Sequence, residues 1–103
     1  MQKIIDETEK RAYVFLHEFG FAEQEIAPVI AKGLFDLENT LEKLRNILAS
    51  SPEGRREELD DVLHALKGLL FQLGNREIAE KIEALRGYDD PVRQYDDLRR
   101  LLF

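Results

Sequence analysis

Apolar residues recur every three to four positions along most of this chain, in blocks separated by glycine, proline, serine and asparagine. That spacing belongs to helices with one buried side. No stretch alternates with the period of two that a half-buried strand requires. Over residues 2–19, Ile4, Ile5, Thr8, Ala12, Phe15, Leu16 and Phe19 share a side, and Gly20 ends the element. A second helix is expected from near Ala22, with Glu23 and Glu25 at its positive end. Pro28 predicts a kink or a late start and Gly33 a weak point, so a new or continuing helix runs from about 34 to 49. Its inner positions are Leu34, Leu37, Leu41, Leu44, Ile47 and Leu48.

Ser50-Ser51-Pro52-Glu53-Gly54 reads as a turn, with Ser51 as a cap and Pro52 at a first helical position. The helix that follows, about 55–73, places Leu59, Val62, Leu63, Leu66, Leu69, Leu70 and Leu73 on one stripe. Gly74 ends it, and Asn75 caps the next helix, about 76–86, with Ile78, Ala79, Ile82 and Leu85 inside. After a turn at Gly87-Tyr88-Asp89-Asp90-Pro91, Asp90 caps and Pro91 opens a last helix to about Leu102. Val92, Tyr95, Leu98 and Leu102 are its expected inner face. Long amphipathic helices on short connections predict an all-α, antiparallel bundle, and 103 residues hold one domain, 1–103.

Composition narrows the function. Fifteen basic against 21 acidic residues give a net charge of −6, which disfavours nucleic acid and anionic membrane as partners. No cysteine is present, so disulfides and thiolate metal sites are excluded and a reducing cytoplasm is a compatible setting. The first residues, Met1-Gln2-Lys3-Ile4-Ile5-Asp6-Glu7, lack the apolar core of a signal peptide, and the apolar runs are too short to span a membrane. The two histidines form no i, i+4 pair, no calcium-loop spacing occurs, and no glycine-rich phosphate loop is present. No metal or other cofactor is therefore expected on the chain itself.

The chemistry concentrates on the helix 55–73. Opposite its leucine stripe, His64, Lys67, Gly68 and Phe71 fall at i, i+3, i+4 and i+7. An imidazole with a reference pKa near 6.5 is a neutral nucleophile at pH 7. Lys67 supplies a point charge for phosphate oxygens, Gly68 leaves clearance for a visiting protein, and Phe71 is a candidate apolar anchor. A glycine inside a helix costs about 0.5–1 kcal/mol relative to alanine, so something must offset it. The bland readings are a solvated histidine, an ordinary helix lysine, a glycine for helix packing and a Phe71 rotated into the core. His17, with no matching lysine or glycine, is taken as structural or surface.

The run His64-Ala65-Leu66-Lys67-Gly68, continued by Leu73-Gly74 and Ile78, resembles the signature of histidine-containing phosphotransfer (HPt) domains of two-component phosphorelays. The motif covers about a quarter of the chain. The resemblance implies a four-helix bundle with one or more flanking helices. It also implies phosphoryl transfer to and from His64, with no kinase activity in the chain itself. The implied partners are a response-regulator receiver domain or a histidine kinase, with Mg²⁺ only on the receiver. Three departures stand out, one of them an extra N-terminal helix that either completes the bundle or forms a dimer seam. Leu69, Leu70 and Phe71 follow Lys67-Gly68 where the family usually has small residues. Arg86 stands where many members carry a glutamate or glutamine that holds the second imidazole nitrogen. A guanidinium accepts no hydrogen bond, so Arg86 is assigned instead to the phosphoryl group, and Asp60, four residues before His64, to orienting the ring; Asp61 is the near neighbour if the helix is rotated. Two other readings stay open: a degenerate bundle that binds a receiver or kinase without being phosphorylated, and a helical adaptor or homodimer joined through its first helix.

Overall fold

The helical periodicity is realised in five α-helices: α1 (Gln2–Glu18), α2 (Glu23–Leu48), α3 (Arg56–Gln72), α4 (Arg76–Arg86) and α5 (Pro91–Leu102). The computed structural model describes residues 1–103 and measures 46 × 21 × 21 Å. The protein is all-α. α1 packs on α2, α2 on α3, α3 on α4 and α4 on α5. No helix is long and apolar enough to cross a membrane.

One core runs along the molecule. Leu37, Leu41, Leu44 and Leu48 of α2 meet Leu59, Leu63, Leu66 and Leu70 of α3, Ile78, Ala79, Ile82 and Leu85 of α4, and Tyr95, Leu98 and Leu102 of α5. The stripe expected on α3 is therefore its buried face, with Val62 and Leu69 half-buried at its margins. Two expected inner residues are not inside: Phe19 is 68% exposed and Val92 is 61% exposed. Both sit at helix ends, where neighbouring helices no longer cover the stripe. Gln94 is buried instead of Val92, and its Nε2 donates to the Leu85 carbonyl at the end of α4, at 2.8 Å.

The expected interruptions of the second helix do not occur. α2 is one helix of 26 residues. Pro28 lies within its first two turns on an exposed side, so the helix forgoes only the single bond that a proline nitrogen lacks. Ala22 N–H donates to the Glu25 carboxylate at 3.1 Å, which satisfies a free donor at this end. Gly33 is a notch rather than a weak point. A Cβ there would stand 2.6 Å from Leu73 Cδ2, so the missing side chain lets α2 approach the end of α3. The expected Ser51 cap is also replaced. Ser51-Pro52 lies outside α3, whose N-cap is Arg55 with no side-chain cap bond. Arg55 ties the turn together by donating to Ser50 Oγ and to both oxygens of Glu58. The other two expected caps form. Asn75 Oδ1 accepts from Ile78 N–H at 3.4 Å, and Asp90 Oδ1 accepts from Val92 N–H and Arg93 N–H.

Four helices converge on the turn between α3 and α4. Leu73 fills the Gly33 notch of α2. Gly74 adopts φ +79°, and a Cβ on it would lie 2.5 Å from Phe15 Cβ of α1. Asn75 is fully buried, and besides capping α4 its Nδ2 donates to Thr8 Oγ1 of α1 at 2.9 Å. At the rim Arg11 of α1 pairs with Glu77 of α4 at 2.8 Å. Gly74→Ala is expected to lower stability by about 2–4 kcal/mol, combining left-handed backbone strain with overpacking against Phe15. Asn75→Ala is expected to cost about 1–3 kcal/mol through the lost cap and the stranded Thr8 hydroxyl. Urea denaturation followed by circular dichroism measures both, and a neutral Gly74→Ala would show that the turn is not under this constraint.

Candidate functional site

The buried stripe of α3 fixes what its other side shows. With Leu59, Leu63, Leu66 and Leu70 facing inward, His64 is exposed near the middle of the helix. Lys67 and Gly68 follow one turn on. Phe71, one turn further, is 40% exposed, so it belongs to this outer surface and not to the core. Gly68 has open space where a Cβ would stand, with no atom within 4 Å. Internal packing therefore gives no reason for a glycine at this position.

α4 lines one flank of the histidine. The tight turn at 73–75 makes it antiparallel to α3, so Lys67 faces Glu83 while Asp60, two turns earlier on α3, faces Arg86. Arg86 grips Asp60 with two bonds, Nε to Oδ1 at 2.9 Å and Nη2 to Oδ2 at 3.2 Å. Its remaining nitrogen, Nη1, donates to Glu83 Oε2 at 3.0 Å and stands 3.5 Å from His64 Nδ1. The same Glu83 oxygen accepts from Lys67 Nζ at 2.8 Å. A chain Asp60–Arg86–Glu83–Lys67 thus runs beside the imidazole. The Lys67 and Arg86 side chains are only about a fifth exposed, at 22% and 21%, whereas those of the two acids are about half exposed. The cations lie along the helix surfaces with their stems covered and their heads at the rim.

These contacts set the charge states. The Arg86 guanidinium, by its hydrogen bonds and its charge, holds the Asp60 carboxyl below its ordinary value. Lys67 first, and Arg86 second, do the same to Glu83. Arg86 is in turn held more firmly protonated, chiefly by Asp60.

The expected members of the site are thus brought together, but two of them change parts. Asp60 was expected to hold the ring; it holds Arg86. Arg86 is the residue that reaches Nδ1, at the outer limit of hydrogen-bond distance. Glu83 was not expected at all. The sequence carries a signal for it, since an acid three residues before Arg86 shares its helix face, but only the antiparallel register turns that face onto Lys67. His17 lies exposed on α1, away from this cluster. No three histidine, aspartate or glutamate side chains converge as metal ligands. No match to the chain is found among protein-family models, curated proteins or solved structures.

Two outcomes test this geometry. Gly68→Ala is expected to raise stability by about 0.5–1 kcal/mol, since the helix gains propensity and nothing is struck. A loss of stability in urea would reveal a packing role for the glycine. Arg86→Ala is expected to move the Asp60 titration midpoint upward toward that of an ordinary carboxylate. Because the folded-state value is depressed, the Asp60–Arg86 contribution to stability is fully present at neutral pH and disappears as pH falls through the carboxylate range. Carboxyl-detected NMR reads the midpoint, and an unmoved Asp60 would show that Arg86 does not hold it.

Proposed function

We propose that the protein is a phosphorelay intermediate of the histidine-containing phosphotransfer type, accepting a phosphoryl group on His64 and passing it to another protein. In this reading α2, α3, α4 and α5 are the four helices of the bundle and α1 is the flanking helix. The observation that carries it is the pairing of an exposed mid-helix histidine with a lysine one turn on and a glycine whose side-chain space is empty. A helix gives up stability for that glycine with no internal return, which fits a surface kept clear for a partner.

The donor is an aspartyl phosphate on a receiver domain, or a phosphohistidine on a kinase. A neutral His64 nitrogen attacks phosphorus, the bond from phosphorus to the aspartyl oxygen breaks, and the aspartate departs as a carboxylate. The new N–P bond leaves a proton on the other ring nitrogen, which passes to water. Transfer onward reverses these steps at a second aspartate. The chain's own contribution is positioning and charge: α3 presents the ring, and Lys67 neutralises oxygens on the moving group. Arg86 Nη1 stands 3.5 Å from His64 Nδ1, a second cation beside the ring.

That same contact favours a second reading, in which the bundle binds a receiver without being phosphorylated. A donor at Nδ1 favours the tautomer with its proton on Nε2, which leaves no lone pair there. At 3.5 Å the contact is too long to impose that tautomer strongly, so phosphotransfer remains the leading reading. Incubation with a phosphorylated receiver separates the two. Wild type is expected to gain an acid-labile, base-stable label and His64→Gln to gain none. Lys67→Ala is expected to slow transfer about tenfold with the fold intact, as loss of one charged contact implies. Gly68→Gln is expected to block docking. A receiver that binds the chain tightly yet never labels it would establish the second reading, and a label that survives His64→Gln would end the first.

A further inference from the structure

Around His64 the charges cancel. Lys67 and Arg86 contribute two positive charges, and Asp60 and Glu83 two negative ones. The two acids are not equivalent. Asp60 accepts side-chain hydrogen bonds from Arg86, through Nε and Nη2, and none from Lys67. Glu83 places one oxygen between the two cations, 2.8 Å from Lys67 Nζ and 3.0 Å from the Arg86 nitrogen nearest the ring. One oxygen accepting from an ammonium and a guanidinium is the arrangement a phosphoryl oxygen would adopt at the same two donors.

We propose that Glu83 is an internal competitor for the phosphoryl group: it occupies Lys67 and Arg86 in the free protein and must swing away before they receive the phosphoryl oxygens. The inference rests on reading His64 as the acceptor. It gives Arg86 a defined part, as a cation kept in place by Asp60 and released at Nη1 when Glu83 leaves. Removal of the Glu83 charge leaves the cluster at +1. Its side chain is half exposed and anchored by these surface ion pairs alone, each worth little, so displacement is within reach of an incoming dianion. Glu83 is accordingly a positioning residue, which sets how readily the cations engage.

Inorganic phosphate is the first probe, titrated into the full chain while the His64 ring is followed by NMR. The His17 ring serves as an internal control for unspecific ion effects. Glu83→Gln is expected to tighten phosphate binding at His64 about three- to tenfold, and Glu83→Asp, one methylene too short to span both cations, to tighten it less. Adding Lys67→Gln to Glu83→Gln should erase the gain. Unchanged or weaker binding in Glu83→Gln overturns the proposal, as does an equal response at His17. Potassium phosphoramidate, which transfers its phosphoryl group to imidazole and releases ammonia, is the second probe. Faster labelling of His64 in Glu83→Gln than in wild type is expected, and equal rates count against the competitor while leaving the acceptor reading standing. If neither protein is labelled but phosphate binding still tightens in Glu83→Gln, the acceptor reading fails and the competition between Glu83 and anions survives.

Discussion

The arrangement of this molecule depends on the buried amide of Asn75. A side-chain amide sealed from water must satisfy both of its ends, and here the oxygen caps α4 while the nitrogen is bound by Thr8 of α1. The residue is fully buried, so a rotation of α4 or a slide of α1 would strand a polar group in the core. Gly74 and Gly33 reinforce the same point by letting Phe15 and Leu73 close around the turn. Everything downstream on α4 inherits its position from there. Glu83 and Arg86 lie two and three turns beyond Asn75, and their register against Lys67 and Asp60 is set at this turn. The ion pairs at the surface therefore record the geometry of the helices more than they create it, since exposed pairs contribute little to stability.

Much of this could be read along the chain. Periodicity located α1, α3, α4 and α5 to within a residue or two, because each carries a clean inner stripe and a recognisable end signal. Asn75 and Asp90 cap as their chemistry suggests. The failures share one cause, which is that local rules describe a segment without its neighbours. Proline and glycine usually interrupt helices, yet Pro28 sits early and outward, and Gly33 makes room for the Leu73 side chain arriving from the end of α3. Phe19 and Val92 satisfy the spacing of an inner face but project where no helix remains to cover them. Serine before proline is a familiar start signal, yet the chain turns once more before α3 begins.

The site divides in the same way. The outward direction of His64, Lys67, Gly68 and Phe71 follows from one helix, so it was legible. The roles of Asp60 and Arg86 depend on which side of α3 meets α4, and sequence spacing within α3 alone pointed Asp60 at the wrong partner. Glu83 is one of 21 acidic residues and has no distinguishing neighbourhood until α3 and α4 are set side by side. Its interest lies in being shared between two cations, a property of the pair of helices rather than of either.

The imidazole is exposed on the outer face of α3, with α4 along one flank. A chemical group attached there would meet bulk solvent from most directions, and the chain alone could neither shelter it nor select among small molecules by enclosure. Discrimination and protection from hydrolysis would have to be borrowed, for the duration of each encounter, from the concave surface of whatever docks. On the proposed reading of His64 as an acceptor, the molecule is half of a reaction chamber, and its selectivity resides in which other halves fit.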